Sequence, residues 1–164
     1  MPDDAIVRWT ARLFVACYVV RVGIDAAGRR DPAAQRAARW LWTIGGIVLL
    51  IHIAVAFHIV HGWSHAAAYD HVLKRTRDST GLASGMGLYV NYGFALLWLA
   101  DTILWWRRLD WVERPVPYRI VQGAFAFLML QATAVFGPSF WTPVVALVVA
   151  MLIALRCHGR RRQT

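Results

Sequence analysis

An all-α integral membrane bundle is the fold class the sequence predicts, and three observations predict it. Five apolar runs, at about residues 5–24, 40–61, 86–106, 119–136 and 141–157, occupy most of the 164 residues. A helix rising about 1.5 Å per residue needs roughly 20 residues to cross a hydrocarbon core of about 30 Å. Hydrophobic residues make up 59% of the chain and charged residues 16%, a balance that a soluble domain of this length has no interior to bury. Lysine and arginine gather in three short segments, 28–39 (GRRDPAAQRAAR), 107–119 (RRLDWVERPVPYR) and 156–164 (RCHGRRRQT). The length suits one bundle, so residues 1–164 read as a single transmembrane domain.

Basic segments on alternate connections are the mark of positive-inside insertion. A net charge of +9 is therefore read as topology and attraction to anionic headgroups, not as nucleic-acid binding. With those segments cytoplasmic, the N-terminus lies outside and the C-terminus inside. Aromatic residues follow the same scheme: Trp40, Trp42, Trp105, Trp106 and Trp111 mark the inner interface, and Trp9, Trp63, Tyr89, Tyr92 and Trp141 the outer one.

Helix one is the least apolar. Arg8, Arg12 and Arg21 interrupt it, and if it lies on the surface four spans remain. Arg8 and Arg12, four apart, share a face near the outer end, where they snorkel to headgroups or hold an acidic partner. No basic n-region precedes the run, which opens with MPDD, so it reads as a retained helix rather than a cleaved signal. Cys17 and Cys157 suggest no disulfide.

Helix two runs into the chain's sharpest chemical anomaly. Five of the six histidines, His52, His58, His61, His65 and His71, fall within twenty residues. At about 100° per residue, His58, His61 and His65 share an arc of roughly 60° if the helix continues through Gly62. Imidazoles one turn apart suit a divalent metal, with Asp70 or His71 completing the shell. The competing reading has these side chains bonding headgroups and water at the interface, with proton sensing a third use. A haem would need a second axial ligand from a homodimer, a partner subunit or a folded-back His71, because helices one, three, four and five carry no histidine.

After Trp63, Ser64 caps a further external helix with Tyr69, Val72 and Leu73 on one side and Asp70, Lys74 and Arg77 on the other. Residues 81–87 (GLASGMG) turn the chain into helix three. There Asn91, Phe94, Trp98, Asp101, Thr102 and Trp105 fall on one broad face, which must point inward because an ionisable group facing lipid is costly. Asp101 sits at the depth of Arg21 on helix one, and the two are expected to pair. An ion or proton path, or snorkelling of Asp101, are the alternatives. Gln122, Gln131 and Thr133 on helix four would hydrogen-bond across the bundle. The GPSF turn, with Pro138, and Pro143 in the first turn of helix five complete the chain.

The segments HGWSHAAAYDH, GLYVNY and LLWLAD resemble an uncharacterised family of small bacterial multi-pass membrane proteins, over roughly residues 58–106. The resemblance implies a bacterial inner-membrane location and no particular activity. No nucleophile triad, phosphate loop or multi-box metal centre is recognisable, so no catalytic residue is named. The expected function is that of a non-enzymatic accessory or structural subunit, with the lipid bilayer and a membrane subunit or second copy as partners and no cofactor. The alternatives are a redox or metal protein with an outward histidine site, using a divalent metal or haem, and a small proton- or ion-coupled carrier.

Overall fold

A computed structural model describes residues 2–107, 115–135 and 141–161. These residues are helical apart from short connections, and no strand occurs among them. The order is α1 Pro2–Ala26, α2 Pro32–Ile59, α3 His65–Thr80, α4 Gly87–Trp106, α5 Pro115–Leu130, a π-helical continuation Gln131–Val135, and α6 Trp141–Arg161. Three of these helices, α2, α4 and the Trp141–Gly159 part of α6, are long and apolar enough to cross a membrane. Large apolar side chains cover the exterior, among them Leu147 (72% exposed), Ile120 and Leu96. Such a surface suits lipid and not water.

Helix α2 begins eight residues before the apolar run does. Asp31 caps it, its carboxylate accepting from the Ala34 N–H at 2.9 Å, and Pro32 takes a position where a missing N–H costs nothing. That hydrogen bond, and then the nearby Arg29 charge, hold the Asp31 carboxyl below its usual range. The basic segment 28–39 is thus mostly the first two turns of a helix rather than a loop. Alternating hydropathy cannot show this, since arginine is itself a good helix former.

At its other end α2 stops at Ile59, and Gly62 (φ 54°) and Trp63 (φ 60°) reverse the chain. The Trp63 indole steadies this turn by donating to His58 Nδ1 at 3.1 Å. Ser64 caps α3 as expected, accepting from the Ala67 N–H, and Gly81 closes that helix in the left-handed region. Gly85 is required where α3 meets the start of α4, because a Cβ there would overlap the Tyr69 ring.

The core is aromatic. Trp42, Trp98 and Phe125 are fully buried, with Phe14, Tyr18, Leu49 and Met129 around them. Helices α1 and α2 pack along their length, α4 joins against α2, and α6 against α1. Trp98 stacks on Trp42 at 4.5 Å and donates its indole N–H to the Trp42 carbonyl at 3.0 Å. Gly45 and Gly46 make room for it: a Cβ at Gly45 would lie 2.9 Å from the Trp98 ring and 3.1 Å from Cys17 Cβ. Trp42 is consequently a core residue and not part of an interfacial belt. Its partners in the proposed inner belt, Trp40 and Trp106, do sit exposed and edge to face at 5.1 Å. Trp111, Pro138 and the GPSF turn lie outside the described residues.

Candidate functional site

The residues Phe14, Tyr18 and Arg21 recur at helical spacing and make the inward face of α1. That geometry carries a guanidinium into the core, where Arg21 is only 3% exposed. Its Nη1 donates to Gln122 Oε1 at 2.8 Å and lies 3.1 Å from Asp25 Oδ2, one turn along α1. Its Nη2 donates to the Tyr118 hydroxyl at 2.7 Å, and that hydroxyl donates in turn to Asp25 Oδ2 at 3.1 Å. Trp42 lies under the cation at 4.9 Å and Trp105 at 5.4 Å. A weakly hydrated, delocalised guanidinium is the cation best suited to such stacking.

Arg21 forms an ion pair with Asp25 on its own helix, a partner that the sequence reading did not name. Asp101 is buried as well, at 5% exposed, and is not left unpaired. Hydrogen bonds tie Arg21 across the bundle to α5, and its cation–π contacts reach Trp42 on α2 and Trp105 on α4.

Three buried groups in this cluster have no hydrogen-bond partner among the described residues: Arg21 Nε, Trp42 Nε1 and Gln122 Nε2. All three are donors. Two of these residues, Arg21 and Gln122, line a cavity of about 730 Å³ walled by α1, the turn after it, α5 and α6, which Arg30, Arg119 and Arg156 also line. Those three arginines come one from each basic segment. Asp25 is the single carboxylate on its wall among the described residues. Helix α6 reaches this end closely enough that a Cβ on Gly159 would lie 3.0 Å from the Ala27 carbonyl oxygen. Chemically, the arrangement is a donor-rich, cationic recess with a fixed rear wall.

The histidines at the opposite end separate. The break at Gly62 turns His65 away, and no three metal-ligating side chains gather among the described residues. His58 is bonded by Trp63, and His65 lies against Tyr89 and Tyr92. His61 and His71 do meet, with ring centroids 5.2 Å apart, while Asp70 is exposed. His52 is tied to Thr10 Oγ1 at 3.1 Å and, with His61, lines a second cavity of about 430 Å³ that also holds Asn91 and Gln131. Arg12 stacks over Trp9 at 5.0 Å and Arg8 is exposed; neither takes an acidic partner among the described residues.

Sequence reasoning singled out Arg21 and Gln122 but not Asp25, Tyr118, Arg30, Arg119 or Arg156. A signal was present: Arg21 and Asp25 at the end of one run, and Tyr118 and Gln122 at the start of another, are polar pairs at the same four-residue spacing. Together fold and site define a helical membrane protein with a cationic recess at one end. Comparisons with protein-family models, with curated proteins and with solved structures found no match.

Proposed function

We propose that this chain is a five-span protein of the bacterial inner membrane, N-terminus out and C-terminus in, that works without catalysis as an accessory component holding an anionic ligand at the inner face. One observation carries the ligand reading: the unpaired buried groups on residues that line the arginine cavity, Arg21 Nε and Gln122 Nε2, are both donors. A buried polar group without a partner is costly, so a set of donors alone calls for an acceptor-rich guest. Phosphate and carboxylate groups have that character, and arginine is the side chain that recognises them best. Support for the topology comes from the convergence of Arg30, Arg119 and Arg156 at one end of the bundle, as positive-inside insertion requires.

The test is thermal melting of detergent-purified protein with added phosphatidylglycerol, phosphatidylcholine or inorganic pyrophosphate. A rise with an anionic species, lost in Arg119→Gln with Arg156→Gln, is expected; lipid and pyrophosphate arms separate a headgroup from a free ligand. Equal shifts with neutral and anionic additives would sink the anion reading. Reporter fusions at both termini check the spans independently, and a cytoplasmic N-terminus would overturn the five-span arrangement. A second reading, a metal on the outer face, draws on the His61–His71 contact alone, and elemental analysis of wild type against His61→Ala decides it.

A further inference from the structure

The 430 Å³ cavity lies at the end of the bundle away from the arginine recess and is independent of the anion reading. Its volume falls within the range of small-molecule sites, about 300–1,000 Å³. Phe14, Phe57, Phe94 and Met129 give it flat or pliable apolar walls. Against those walls stand His52, Asn91 and Gln131. Asn91 is exposed and Gln131 half-buried, so both amides are open to a guest in the cavity.

We propose that this cavity binds a quinone-class molecule, a flat ring bearing carbonyl or hydroxyl oxygens on an apolar tail. Three features argue for a ring with oxygens rather than a bare acyl chain. First, Gln131 opens the π-helical turn that extends α5, and such turns recur at functional sites because they swing one side chain out of register. Second, amides on the wall of a largely apolar cavity can bond a guest that carries oxygens, which an acyl chain does not. Third, His52 can adapt to either form of the guest. Its Nδ1 meets Thr10 Oγ1, whose proton can go to that nitrogen or to the carbonyls of Ile6 (2.9 Å) and Val7 (3.0 Å). Each choice fixes the opposite role for Nε2, as donor to a carbonyl or acceptor from a hydroxyl. The tail would leave between helices towards lipid, since the outer faces of α4 and α5 are apolar and exposed.

Titration of detergent-purified protein with decylubiquinone, read by tryptophan quenching, tests this. Saturable binding near one per chain is expected. Gln131→Met and Asn91→Leu, which conserve size, should each weaken it about tenfold, the cost of one hydrogen bond, with melting temperature unchanged. A photoreactive quinone on the wild-type protein gives a readout that needs no variant and should label residues 88–94 or 128–132. Unchanged affinity in both variants, labelling elsewhere, or displacement by dodecanol at matching concentration would overturn the proposal, the last by making the cavity an acyl slot.

Discussion

The two ends of this bundle hold similar stocks of polar residues and use them in opposite ways. At one end Arg21, Asp25, Tyr118 and Gln122 come from two helices and close on one another within 3.1 Å. At the other, five histidines that are neighbours in sequence disperse, each against a different aromatic ring, threonine or fellow imidazole. Closeness along the chain is thus a poor guide to a shared site when a turn intervenes. Matching depth on separate helices is the better guide, because lipid forces polar groups at one level to find one another.

The largest expected effect tests the first end. Arg21→Met leaves Asp25, Tyr118 and Gln122 without their common donor and should cost about 3–5 kcal/mol, the scale for breaking a buried ion pair, as a lower melting temperature in detergent. A loss under about 1 kcal/mol would mean that the network is decorative. Next comes the packing between the ends. Gly45→Ala pushes a methyl group into Trp98 and Cys17 and should destabilise by about 1–3 kcal/mol, with near-ultraviolet circular dichroism reporting the displaced indole. His58→Ala, at the dispersed end, should cost no more than about 0.5 kcal/mol, and a much larger loss would show that the histidines act as a unit after all.

The smallest effect concerns Asp31. Because its carboxyl is held below the ordinary value, its contribution is present above about pH 4 and is lost as pH falls through the lowered value. A wild-type melting curve that drops more steeply than that of Asp31→Ala below about pH 4 is the expected signature.

Much of the fold was legible. The helical membrane class, the helix behind Ser64 and the limits of α4 follow from apolar runs and a capping residue. The start of α2 was not, because arginine-rich turns look like a loop to hydropathy while obeying helix propensity. Arg21 was recognisable as an intramembrane cation that needs partners, since an ionisable group well inside a span is costly alone. Depth alone did not bring out Asp25, which lies one turn away on the same helix, just beyond the end of the apolar run. The cavity required the third dimension, as Arg30, Arg119 and Arg156 are separated by most of the chain.

The paired glycines under Trp98 also bear on the order of assembly. Helices α1 and α2 are consecutive and pack together along their length, so their hairpin can form while later segments are still being synthesised. The slot at Gly45 and Gly46 then waits for one indole, and the carbonyl of Trp42 receives its N–H at a single height. A helix arriving one turn too high or low would meet the slot with Phe94 or Thr102 and find no such bond. The glycine pair therefore works as a gauge, setting how far α4 slides before the bundle closes.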